Sequence, residues 1–326
     1  MNRTLFYFIT FFVTFLATLL ISTSSIANTG SRLLASGGVS SVEGAAGGGI
    51  TPWALIAGYG SNEEINATAN IQHLQAGEYQ LHSYGAAVGF YDRFEFSLQQ
   101  QNLDVSSATM TNVFNFLSNG PTPALIAPST QIEQTIIGGK LKVYGDALFS
   151  ENPYIPQVSV GFQYKKNQSF DSSLALYDGA VPIPNTGIPA LLGATQDSGI
   201  DYYISASNVL LGAFDGNNVL YNLTARLSKA NTLGLLGFES ADDNSYALEM
   251  AASFAVFTGR HTLIGMEIRQ QTDRLSGLAK ADTISDFFVS YLPSKEWSIT
   301  AALVNLGNLP LQPKSKGFYL SFTANY

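Results

Sequence analysis

Three histidines, His73, His82 and His261, are the side chains of this 326-residue chain best suited to general-base or metal chemistry, and cysteine is absent. Without cysteine there is no thiolate nucleophile, no thiolate metal ligand, no disulfide and no cysteine-linked lipid anchor. A strand-borne serine hydrolase would carry serine two residues beyond its histidine, on the same face. Here those positions are Gln75 and Tyr84, and His261 lies beside a turn. The histidine spacings do not suggest a metal site either. The glycine clusters Gly37-Gly38 and Gly47 to Gly49 lack the phosphate-loop pattern and a following helix, so they read as turns. The expectation is a chain with no catalytic, cofactor-binding or metal-binding residues, and not an enzyme.

What remains chemically distinctive is a sparse set of charges. Only 12% of residues are Asp, Glu, Lys or Arg, against 46% hydrophobic and 12% aromatic, where soluble domains carry about 25% charge. A net charge of -8 with 16 Lys and Arg and no basic run argues against nucleic acid as a partner. Ten charges, Glu95, Lys140, Lys142, Lys165, Asp201, Arg226, Glu249, Glu267, Arg269 and Asp286, fall at positions where the flanking residues alternate between apolar and small polar types. That alternation defines the elements that must hold them.

At the start of the chain, Arg3, the apolar run Leu5 to Ile21 and Ser25-Ile26-Ala27 have the three-part form of a secretory signal peptide, with cleavage expected after Ala27. Beyond it no apolar run is long enough for a membrane helix. Instead, blocks of about ten residues alternate with the period of a strand. In residues 318–326, Phe318, Leu320, Phe322, Ala324 and Tyr326 share one face, and Tyr319, Ser321, Thr323 and Asn325 share the other. The opposite face is mostly Ser, Thr, Asn, Gln and Gly with a charge or two per strand, which suits a barrel lumen behind a lipid-facing wall better than a soluble sandwich. The ten charges then point inward, either as a solute filter or as a structural ladder filling a narrow barrel. With a turn centred on Gly259, Glu249 is expected opposite Arg269, with Asp286 in reach.

Connections alternate between short turns, such as Tyr91 to Arg93 and Pro293 to Glu296, and long loops, such as Val105 to Gln131 and Lys166 to Ser198. Transmembrane barrels show that asymmetry between their two rims. The turns are expected to set Phe90 beside Phe94 and Tyr291 beside Trp297, forming with Tyr326 an interfacial aromatic girdle. Two long loops are unusually apolar, and Leu125, Ile126, Ile183, Ile188, Leu191 and Leu192 are expected to fold over the mouth as a plug or as a greasy entrance. Twelve strands follow Ile65, and Trp53 to Tyr59 would make thirteen. Because even counts are the rule, the reading is twelve to fourteen strands, with fourteen favoured. The division is then 1–27 signal peptide, 28–50 a Gly-rich segment forming a weak first strand or a lumen plug, and 51–326 barrel.

The runs Leu33 to Val39, Val42 to Gly49 and Pro52 to Tyr59 resemble the opening of an uncharacterised proteobacterial outer-membrane β-barrel family, domain of unknown function 3034. So do Ser83 to Arg93, Pro156 to Lys165, Lys229-Ala230-Asn231 with Gly234 to Phe238, and Ala301 to Asn308, so that the resemblance covers nearly the whole chain after the signal segment. It implies an all-β transmembrane antiparallel up-and-down barrel in the outer membrane of a Gram-negative bacterium, and no activity. The terminal aromatic Tyr326 resembles the signal read by the barrel-assembly machinery, where Phe is the usual residue. The expected partners are thus the lipid bilayer, that machinery and a small solute. The leading functional expectation is a passive channel or transporter, for a hydrophobic solute if the apolar loops are its entrance. The alternatives are a closed structural or adhesion barrel and, third, an outer-membrane lipolytic enzyme. An open bore would favour transport, and a filled one the structural reading.

Overall fold

The computed structural model describes residues 37, 39–105, 127–128, 131–148, 150, 152–171, 174–175, 177–178, 181–182, 187–275, 281–309 and 312–326. The signal segment 1–27 and the mouth residues Leu125, Ile126 and Ile183 lie outside them. Twelve antiparallel strands close into a barrel. They are β1 (Ile65–Ala76), β2 (Tyr79–Phe90), β3 (Phe94–Asp104), β4 (Gln131–Tyr144), β5 (Gln157–Asn167), β6 (Ser198–Phe214), β7 (Asn217–Ser228), β8 (Ala247–Phe257), β9 (Thr262–Arg269), β10 (Ile284–Tyr291), β11 (Trp297–Leu309) and β12 (Gln312–Asn325). Each pairs with its neighbours in sequence, and β1 closes on β12 from Thr68 opposite Asn325 to Ala76 opposite Gly317.

Alternation decides which way each side chain faces. On β7, Asn222, Thr224 and Arg226 are buried inside, while Leu223 and Leu227 are exposed outside. The same holds around the ring, to the point that Leu303 is 68% and Ile71 62% exposed. Leaving so many large apolar side chains in water would cost about 1.5–3 kcal/mol each. Lipid removes that cost, and closure leaves no sheet edge with unpaired backbone groups in the hydrocarbon. The barrel is therefore a membrane-spanning one of the outer-membrane type. Phe94, Tyr291 and Tyr326 stand exposed near the rim that carries the short turns, and Trp297 stacks on Phe322 with ring centroids 6.1 Å apart. Phe90 faces Phe94 across the first of those turns.

Three expectations change. The wall has twelve strands rather than fourteen and begins at Ile65, because residues 39–59 run inside it and are buried. Ala54, Leu55, Ile56 and Ala57 are consecutive and each at most 3% exposed, which an alternating wall strand does not allow. Tyr291 pairs with Ile299 and not with Trp297, since the turn is longer than Ser294-Lys295 alone. Likewise Arg269 pairs with Ala251, so Glu249 is displaced from it by two residues and faces Arg226 on the other side. In each case a wider turn slides the register by two, which preserves the face and changes the partner.

Candidate functional site: the plugged lumen and its mouth

Inside the barrel the chain from Val39 to Tyr59 forms a compact hairpin. Gly58 N–H donates to Gly37 O at 2.7 Å, Trp53 N–H to Ala46 O at 3.0 Å, and Val42 N–H to Gly49 O at 2.8 Å. Both arms meet at the short-turn rim, where residue 60 leads into β1; the two turns of the tip, carrying Glu43 and Ile50, lie toward the long loops, and Ala46 between them folds back down to the level of Glu95. The glycines permit close packing: Gly44 has φ +88°, and at Gly48 a Cβ would collide with the Glu267 carboxylate.

The polar wall side chains bind this hairpin through its backbone. Gln157 Nε2 and Ser159 Oγ donate to Ala54 O at 2.7 and 2.5 Å, and Thr224 Oγ1 donates to Pro52 O at 2.9 Å. Gln72 Nε2 reaches Ser41 O at 3.0 Å, and Gln101 Nε2 reaches Val42 O at 2.8 Å. Trp53, only 1% exposed, donates its indole N–H to Ser253 Oγ at 2.9 Å. The face that reads in sequence as a wet lumen is a lining of hydrogen-bonding groups for a peptide, satisfying backbone groups that burial would otherwise strand.

Charges anchor the hairpin at two heights. Lower down, Glu95 accepts from Ala46 N–H and Ala57 N–H at 3.2 and 2.9 Å. Its partner Lys140, 3.0 Å away, also donates to Leu55 O at 2.8 Å. Near the tip, Glu43 is fully buried and takes Arg226 at 2.9 Å, Arg269 at 2.8 Å and Lys165. Asp201 shares Lys165 and Arg226 at 2.7 and 3.0 Å. Glu43, Asp201 and Glu249 thus stand against Lys165, Arg226 and Arg269 in one compensated cluster, since Glu249 faces Arg226 in register. Glu267 is instead held by neutral donors: Ile50 N–H at 2.8 Å, Ser253 Oγ at 2.6 Å and the Trp53 indole at 3.3 Å. Asp286, opposite Glu267 on β10, has no hydrogen-bond partner at either oxygen among the described residues.

Above the tip the lumen changes character. A cavity of about 80 Å³ is floored by Val42 and Ile50 of the hairpin, walled by residues such as Leu74, Leu81 and Ile132, and roofed by Ile188, Leu233, Leu235 and Leu236. Its volume is several times the roughly 10–15 Å³ that one water needs, and only Thr232, Gln271 and Tyr79 among its described lining residues carry polar side-chain groups. The roof is a loop turned inward. Thr232 and Leu233 adopt left-handed φ of 45° and 63°, and the wall holds their neighbourhood through Asn167 Nδ2 to Leu235 O at 2.7 Å and Gln134 Nε2 to Leu233 O at 3.2 Å. Farther along the loop, hydrogen bonds from the Ser245 hydroxyl and N–H hold the Asp243 carboxyl below its ordinary range.

All ten charges singled out from sequence have side chains inside the barrel or at its short-turn rim, where Lys142 pairs with Asp92 and Asp146 at 2.7 Å each. Of the described mouth residues, Ile188 is buried at the cavity, whereas Leu191 is 50% exposed and Leu192 lies between. Sequence reasoning missed Glu43, Trp53 and Leu233 to Leu236. The available signal was a single charge embedded in the Gly- and Ala-rich stretch 42–49, beside an unalternating apolar run that no lipid-facing strand would need.

Among solved structures, the chain is similar to the KdgM porin in complex with disordered oligogalacturonate (9% identity, TM-score 0.44, 79% of this chain and 99% of that one). It is also similar to the outer membrane protein Omp33 of Acinetobacter baumannii (9%, 0.40, 81% and 98%) and to the COG4313 outer membrane channel of Pseudomonas putida F1 (9%, 0.39, 85% and 97%). No curated protein sequence matches it. Residues 36–323 match a family model, and on that extent the chain belongs to the family described as Protein of unknown function (DUF3034).

Proposed function

We propose that the protein is a passive outer-membrane channel for a small hydrophobic solute, shut at rest by its own N-terminal hairpin. The observation that carries this reading is the apolar cavity between hairpin tip and inturned loop: its lining is that of a hydrophobic ligand site, and at about 80 Å³ it holds a ring-sized solute only once the hairpin shifts. The hairpin is held by hydrogen bonds, ion pairs and the packing of Val39, Val42, Trp53 and Leu55 against the wall, with no covalent link to it short of β1, and both of its arms emerge at the short-turn rim, so it can withdraw without unthreading the wall. Six of the ten charges, Glu95, Lys140, Lys165, Arg226, Glu267 and Arg269, touch the hairpin and act in this reading as its anchor more than as a filter for the solute. The C-terminal strand ending in Tyr326 is the segment the assembly machinery would read.

The filled lumen is what favours the rival reading, a closed structural barrel whose loops bind a partner. Uptake of a radiolabelled monocyclic aromatic hydrocarbon by Gram-negative cells separates the two. A channel raises uptake several-fold over cells carrying an empty vector, and Leu236→Asn in the cavity roof removes the gain. Uptake equal to the vector control would rule the channel out.

A further inference from the structure

The two-residue turn Gly77-Glu78 folds β1 against β2 so that His73 stands directly opposite His82. Both side chains point outward. They lie at the upper margin of the lipid-facing belt, with Ile71 and Tyr84 one pair below and Gln75 and Gln80 one pair above. Their Nδ1 atoms are 3.3 Å apart and their ring centroids 4.6 Å apart, tilted by 40°. Two like nitrogens this close can share a single proton, or they can share a metal ion.

Metric fit selects the metal. With metal–nitrogen bonds of about 2.0–2.1 Å, a separation of 3.3 Å subtends about 105–110° at the ion. That is the angle between two ligands of a tetrahedral site; the ring centroids, 4.6 Å apart against about 5.1 Å when both nitrogens point at one ion, reach it by a small rotation of the two rings. The antiparallel pairing fixes both Cα positions, so the pair is preorganised by the sheet rather than by a flexible loop. Neutral imidazole nitrogens suit Zn²⁺, Cu²⁺ and Ni²⁺, whereas Ca²⁺ and Mg²⁺ need oxygen cages.

We infer that His73 and His82 form a two-histidine site for a borderline transition-metal ion on the outer surface of the barrel, near the long-loop rim, with its remaining positions filled by water. The site is independent of the channel reading. It needs neither the hairpin nor the cavity, and His261, at the opposite rim with its Nδ1 3.0 Å from Leu292 O, takes no part in it.

The test is titration of the full chain in lipopolysaccharide-free detergent micelles with Zn²⁺, and separately with Ni²⁺, by isothermal calorimetry. One ion per barrel is expected. His73→Gln and His82→Gln should each lower the affinity at least tenfold, while His261→Gln leaves it unchanged. X-ray absorption at the zinc edge should show two nitrogen neighbours of imidazole type. Heat-dependent mobility on gels checks that each variant remains folded, which the exposure of both rings makes the expected result. Absence of zinc binding in the unaltered protein, or binding indifferent to both substitutions, would overturn the assignment and leave a hydrogen-bonded histidine pair.

Discussion

The lower lumen and the mouth are built from the same alternating strands but do opposite things. Around the hairpin, wall side chains such as Gln72, Gln101, Gln157, Ser159 and Thr224 spend their hydrogen-bonding capacity on a peptide backbone, and Glu43 engages three cations. At the mouth the same inward positions carry Leu74, Leu81 and Ile132, which offer nothing but apolar surface. A polar inner face is therefore no sign of a water-filled pore in this barrel. It recognises the hairpin, and any selectivity toward a solute resides in the apolar chamber above.

The strongest way to break that contrast is at the anchor. Glu43→Ala leaves Lys165, Arg226 and Arg269 short of a counter-charge in a buried site, and removing one partner of such a cluster costs about 3–5 kcal/mol. The expected result is that the hairpin becomes susceptible to protease between residues 39 and 60 while the barrel remains folded, with ion conductance appearing in planar bilayers. Retained protease resistance and no conductance would mean that the anchor does not hold the hairpin.

Trp53→Ala acts on the same region through packing. It empties the largest fully buried side-chain volume of the hairpin and strips donors from Ser253 and Glu267, with an expected loss of about 3 kcal/mol in denaturant unfolding. Leu236→Asn acts on the mouth alone. A polar group there costs about 1–3 kcal/mol, yet it should leave protease protection of the hairpin intact while abolishing uptake of the apolar solute. If hairpin protection and uptake fell together, the two regions would not be separable in the way described.

The smallest effect is expected at Asp286. Its carboxyl group faces that of Glu267 with no hydrogen-bond donor, so Asp286→Asn removes one of two facing buried acids and should raise stability by about 1 kcal/mol. The unfolding midpoint measured beside the unaltered protein decides the sign.

The wall was legible in the sequence because two-residue alternation survives any register, so the twelve blocks from Ile65 onward and the inward direction of their charges could be read directly. Partners across a turn were less so. Misjudging two turns by a residue or two displaced Trp297 from Tyr291 and Glu249 from Arg269, although every face stayed correct. The hairpin was hardest, because a buried segment with irregular backbone has no period and its Gly-rich composition suits a turn as well as a plug. The histidine pair was concealed for the opposite reason. His73 and His82 lie nine residues apart, a spacing without meaning on a helix, and only the tight turn at Gly77-Glu78 makes them neighbours.

The central claim is that the hairpin must move for a solute to pass, and a reversible lock tests it most directly. The chain has no cysteine, and Ala54 N–H already donates to Ser207 Oγ at 2.7 Å, so Ala54→Cys with Ser207→Cys supplies one oxidisable bridge between hairpin and wall. Uptake of the labelled hydrocarbon should be lost when the bridge is oxidised and return to the level of the unaltered protein on reduction. Uptake by the oxidised, fully bridged protein equal to that of the reduced form would contradict the account.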